Sequence, residues 1–108
     1  MPDYTLTKAD GGPIAKEKAD LFMKRFRDKH PEKDAVVARF IGSDWLNVII
    51  DQTDCVGVRV YFGYGETGQL EIFFVGVTAN GTNMGPIGKS TGTGIMTDGS
   101  FPCPPYCP

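Results

Sequence analysis

One stretch restricts the fold of this chain more than any other, because apolar and polar residues alternate in it twice in succession. CVGVRVYFGYG (residues 55–65) is followed by QLEIFFVGVT (residues 69–78), and a period of two is typical of β-strands. The ETG between them fits a three-residue loop in which Gly68 supplies a positive φ. The sequence therefore predicts a β-hairpin over residues 55–78.

The register of this hairpin sorts its side chains onto two faces. The even-numbered residues form one apolar face, which we call the first face. On it the register places Val60 opposite Phe74, Phe62 opposite Ile72 and Tyr64 opposite Leu70. The odd-numbered residues form the second face, which also carries apolar groups at Tyr61, Phe73, Val75 and Val77. We expect two helices to cover the first face, and the tail or another subunit to cover the second. The hairpin's second face is thus predicted to mediate self-association.

A helix is predicted over residues 14–30. Pro13 suits the start of this helix and Pro31 stops it. Four apolar residues between them recur at helical spacing: Ala15, Ala19, Phe22 and Phe26. Six of the eleven Lys and Arg residues lie here: Lys16, Lys18, Lys24, Arg25, Arg27 and Lys29. We favour a solvated face with i,i+4 pairs over the alternative, a basic docking face for an acidic partner.

A short strand and a second helix are predicted before the hairpin. Residues 36–41 are mostly β-branched and apolar, which suits a strand. Ser43 is a good N-cap for a helix that ends near Gln52. Trp45 shares a face with Ile49, so we expect core or half-buried packing rather than a ligand-stacking role.

Length and composition favour one small α+β domain spanning residues 1–108, in which two helices pack on a short antiparallel sheet. We expect residues 1–12 to form a mobile N-terminal arm and the Gly, Thr and Pro of residues 85–108 to form an irregular tail. A net charge of -2 gives no reason to expect nucleic acid as a partner, and no apolar run is long enough to span a membrane. Without a signal-peptide pattern, the expected location is the cytoplasm.

The C-terminal SFPCPPYCP holds the main candidates for chemistry, Cys103 and Cys107. A glutaredoxin-like dithiol is activated at a helix N-terminus, and only one residue follows Cys107. A disulfide would need a tight turn, for example with Pro105 in cis. With Cys55 and His30 the two cysteines are chemically adequate for a zinc site, although C-x3-C spacing is uncommon. An incidental pair of thiols is the third alternative.

No other pattern predicts an active site. GPIGKST lacks the first glycine of a phosphate-binding loop, because position 83 is Asn83. Asp51 and Asp54 fit a plain connection between helix and strand better than an acid/base pair. We therefore predict no catalytic or cofactor-binding residues and no enzymatic activity.

CVGVRVYFGYGETGQLEIFFVGVTANGTNM, together with the terminal FPCPPYC, resembles a group of small uncharacterised Bacteroidota proteins with a CVGxRxY strand and a C-terminal CPPYC motif. This resemblance implies a bacterial origin and a shared small α+β unit, and it assigns no catalytic residue. We expect a non-enzymatic interaction or structural module, in which the hairpin binds an unknown protein or a second copy of the chain. The alternative is a thiol redox or metal-binding protein that uses Cys103 and Cys107.

Overall fold

The computed structural model describes residues 4–87 and 94–108. Along the chain, its elements are α1 (Lys16–Lys29), β1 (Ala38–Arg39), α2 (Ser43–Ile50), β2 (Gly57–Tyr64), β3 (Leu70–Val77), β4 (Met96–Asp98) and β5 (Pro102–Cys103). One sheet is antiparallel with the order β2-β3-β4, and β1 pairs with β5 in a separate two-stranded ribbon. The predicted α+β class is confirmed.

The predicted hairpin is confirmed in both register and turn. β2 and β3 pair antiparallel with Val60 opposite Phe74, Phe62 opposite Ile72 and Tyr64 opposite Leu70. The Gly65 amide donates to the Gln69 carbonyl at 2.8 Å, and Gly68 has a φ of 80°. Only a residue that tolerates positive φ closes this loop without strain, which explains the glycine.

The two helices differ in how they meet the sheet. α1 begins at Lys16 rather than at Pro13, because Ala15 is still extended, and it ends before Pro31 as predicted. None of its residues is buried. α2 contacts both strands of the hairpin and buries Ile49 completely. Of the two helices that we expected to pack on the sheet, α2 alone contributes a buried residue.

The C-terminal segment contains more regular structure than its composition predicted. Residues 85–108 were expected to be irregular, yet β4 pairs with β3 and β5 pairs with β1. The Gly99 amide also donates to the Ile72 carbonyl at 3.0 Å. Backbone groups at the edge of β3 need partners, and an extended segment of almost any composition can supply them. Residues 88–93, which include the Lys and Ser of GPIGKST, lie outside the described ranges.

The segment before α1 touches the end of the hairpin. The Leu6 amide donates to the Ala79 carbonyl at 2.8 Å, and the Tyr4 hydroxyl lies beside Gly81. The expected mobility of residues 1–12 stays a prediction. At these two points the segment lies against the turn that follows β3.

The hydrophobic core is small for the length of the chain. Among the residues that the structure describes, five apolar ones are buried: Val36, Ile49, Cys55, Val75 and Val77. The chain exposes 7899 Å², whereas a compact monomer of 11.7 kDa exposes about 5,900 Å². Its radius of gyration is 15.5 Å, against about 13 Å for a compact chain of this length. Within the described residues, no helix has the length and apolar content to cross a bilayer.

Candidate functional site

The C-terminal cysteines form a closed turn. Cys103 and Cys107 are joined by a disulfide with a Cα–Cα distance of 4.8 Å, which lies within the usual range for such bonds. The Tyr106 amide donates to the Pro102 carbonyl at 3.0 Å, and the peptide bonds before Pro104 and Pro105 are both cis. The tight turn that we named as the condition for this disulfide is therefore present.

The ribbon of β1 and β5 connects this turn to the rest of the protein. Cys103 lies opposite Ala38, and its carbonyl accepts a hydrogen bond from the Val37 amide at 2.8 Å. The rings of Phe101 and Tyr106 meet edge to face with centroids 4.9 Å apart. Cys107 is exposed and Cys103 is half-buried.

The structure does not place Cys55 beside the other two cysteines. Cys55 is 6% exposed, donates from its Sγ to the Gly57 carbonyl at 3.2 Å, and contacts the position of Gly76 beneath α2. His30 instead stacks on Phe26, with ring centroids 4.5 Å apart. In residues 4–87 and 94–108 there is no cluster of three or more His, Cys, Asp or Glu residues arranged to hold a metal. The zinc site stays a prediction without a geometry to support it.

Polar contacts close the second face of the hairpin. Asn83 is 2% exposed; its amide oxygen accepts a hydrogen bond from Arg59 at 2.7 Å, and its Nδ2 donates to the Tyr61 hydroxyl at 2.7 Å. Val75 and Val77 are buried on the same face. The chain itself covers this part of the second face, since Asn83 lies just before the tail and Gly85 of the tail packs against Val75. Self-association through the second face stays a prediction.

The first face is covered at one end and open at the other. Near the end of β3, Gly76 has no side chain, and Ile49 of α2 packs over it. Toward the turn, Val60 is 41% exposed, while Phe62 and Tyr64 are 71% and 72% exposed. These three residues, here the open patch, lie on β2, an edge strand of the sheet. Monomeric proteins rarely leave adjacent large apolar side chains so exposed without a binding role.

α1 carries a second exposed apolar surface. Helical spacing places Ala19, Phe22, Met23 and Phe26 within an arc of about 100°, and we call this surface the stripe. Phe22 is 44%, Met23 50% and Phe26 37% exposed. Lys16 pairs with Asp20 and Lys24 pairs with Asp28, so the predicted i,i+4 pairs are present on this helix.

A buried ion pair that the sequence did not indicate joins the ribbon to the hairpin. The Arg39 side chain is 5% exposed and donates to Glu71 at 2.9 Å, to the Ser100 carbonyl at 2.9 Å and to the Leu70 carbonyl at 3.1 Å. Its partners lie 31 to 61 residues away. The one available signal was Glu71, a charge within an apolar strand, which requires a partner of opposite sign if it is buried.

The structure also shows where Trp45 and the pair of Asp51 and Asp54 lie. Trp45 is 58% exposed, which is more than the predicted core or half-buried packing allows: α2 has only eight residues, and it turns Ile49 rather than Trp45 toward the sheet. Asp51 and Asp54 are exposed at the end of α2, where Asp54 has a φ of 70°, as suits a connecting turn.

Comparison of the chain with protein-family models, with curated proteins and with solved structures gave no match.

Proposed function

We propose that this protein is a non-enzymatic interaction module that self-associates through the open patch on the first face of its hairpin. One observation carries the proposal: Phe62 and Tyr64 are more than 70% exposed on an edge strand, while only five apolar residues are buried in residues 4–87 and 94–108. Large aromatic side chains at the centre of an interface provide much of the binding energy of protein complexes.

The surplus of exposed surface supports this proposal quantitatively. The chain exposes about 2,000 Å² more than a compact monomer of its mass, and a standard interface buries about 800 Å² on each partner. The surplus is therefore large enough for one such interface.

Sedimentation velocity over a range of concentrations tests the proposal. We expect a dimer in the wild type, and a dissociation constant at least about 100-fold higher in the double variant Phe62→Ser/Tyr64→Ser. Phe40→Ser is the matched control, because Phe40 is 58% exposed but lies beside the β1–β5 ribbon. A wild type that stays monomeric at the highest concentration contradicts the proposal.

A thiol redox role is the second candidate, and the exposed disulfide of Cys103 and Cys107 is the observation that favours it. Equilibration in dithiothreitol buffers, followed by alkylation and mass spectrometry, gives the reduction potential of the pair. Structural disulfides have potentials below about −300 mV. A reduction potential above this value supports exchange with cellular thiols, and a potential below it assigns the pair a structural role.

A further inference from the structure

We infer that the stripe on α1 of one chain binds the open patch of a second copy, so that two chains exchange helices reciprocally. The inference rests on the proposed self-association and identifies the surface that the hairpin binds. Each dimer would contain two identical helix-on-sheet contacts related by a two-fold axis, which closes the assembly at two chains.

The helix itself requires a partner. α1 has 14 residues and none of them is buried, and isolated helices of about this length are only marginally stable in water. Helices in proteins gain most of their stability by packing an amphipathic face. The stripe has the apolar width that such packing needs, and its three large side chains are all at least 37% exposed.

The open patch has the apolar chemistry that the stripe needs. It is a row of one aliphatic and two aromatic side chains on successive even positions of β2, a strand of 8 residues. α2 covers the far end of the same face, and this leaves the end near the turn for another helix. A helix laid beside α2 would complete the layer of helices that the sequence predicted on this face.

Charge favours a second copy over an unrelated apolar partner. α1 has six basic and three acidic residues, a net charge of +3; the rest of the chain has five basic and ten acidic residues, a net charge of −5. The Lys18 Nζ lies 5.8 Å and the Arg25 Cζ 5.5 Å from the centroid of the Phe22 ring, so positive charge borders the stripe. Glu32 and Asp34 border a groove beside Tyr64, so negative charge borders the open patch.

In the observed geometry, the stripe of a chain does not fully cover the open patch of the same chain. Phe26 and His30 border the groove beside Tyr64 in the same chain, but Phe22 and Met23 remain 44% and 50% exposed. Pro31 ends the helix at that point. The surplus of about 2,000 Å² is consistent with both the stripe and the open patch being buried on association.

Mixing two defective variants tests the exchange directly. The hairpin variant is Phe62→Ser/Tyr64→Ser and the helix variant is Phe22→Ser/Phe26→Ser. We expect each alone to associate at least about 100-fold more weakly than the wild type. Mixed in equal amounts, they should form heterodimers at concentrations where neither associates alone, because the intact helix of one meets the intact patch of the other.

Leu21→Ser is the matched control on the same helix, since Leu21 is 47% exposed and lies on the side of α1 away from the stripe. It should associate like the wild type, and circular dichroism should show that all variants stay folded. A helix variant that dimerises normally, while the hairpin variant does not, overturns the exchange and leaves the proposed function standing. Failure of the mixture to form heterodimers also overturns the exchange. A monomeric wild type overturns the proposed function as well.

Discussion

Removal of the Arg39 side chain tests whether the ribbon and the hairpin form one cooperative unit. Arg39→Met keeps much of the aliphatic volume but deletes the guanidinium, which donates to Glu71, Leu70 and Ser100. Removal of one partner of a buried ion pair typically costs about 3–5 kcal/mol. Because the Glu71 side chain is 20% exposed and regains some water, we expect the lower end, a loss of about 3 kcal/mol.

Urea denaturation, followed by Trp45 fluorescence and circular dichroism, measures this loss. With a denaturant slope of about 1.5–3 kcal/mol/M, the midpoint should fall by about 1–2 M. In the double variant Arg39→Met/Glu71→Leu no unpaired carboxylate remains, so part of the loss should be recovered. The surface substitution Arg27→Met should change stability by less than about 0.5 kcal/mol. A loss below about 1 kcal/mol in Arg39→Met would refute the reasoning, because the pair would then be no stronger than an exposed one.

Three further substitutions probe the remaining contacts. Cys103→Ser/Cys107→Ser opens a loop of five residues and should lower the free energy of unfolding by about 2 kcal/mol; an unchanged melting temperature would show that the disulfide does not constrain the chain. Asn83→Ala should cost about 2–3 kcal/mol in urea denaturation, because it leaves buried groups without partners; a cost near zero would contradict the proposed closure of the second face. Gly76→Ala would place a Cβ 2.8 Å from the Gln52 amide nitrogen and 3.0 Å from the Cys55 sulfur, and it should cost about 1–3 kcal/mol. Gly57→Ala is its control, since nothing lies within 4 Å of that Cβ, and an equal cost in both would contradict the packing argument.

Local sequence signals were sufficient to predict the hairpin. Its alternation, its loop length and the positive φ of Gly68 are properties of neighbouring residues, and they set the register without reference to the rest of the chain. The end of α1 at Pro31 was predictable for the same reason. The disulfide was predicted only as an alternative, because the spacing of Cys103 and Cys107 required a turn that the residues permit but do not impose.

Which residues cover each face, and how far, was not predictable, because it depends on contacts between distant parts of the chain. Asn83 lies 24 residues from Arg59, and nothing local indicates that its amide enters the core. Arg59 and Tyr61 among the valines of the second face did indicate a need for a polar partner, and a segment of the chain itself meets that need. The open patch remains because, of the two helices expected on the first face, only α2 packs against the hairpin.

A single chain buries little of its surface on folding, and this affects the heat capacity change of unfolding. An unfolded chain of this mass exposes about 17,000 Å², so folding to 7899 Å² removes about 9,000 Å² from water rather than about 11,000 Å². The heat capacity change of unfolding scales with this area, so an isolated chain should show a value about one fifth below that of a compact domain of equal length. In calorimetry at rising protein concentration, the heat capacity change of unfolding should increase toward the value for a compact domain, because association buries the remaining apolar surface.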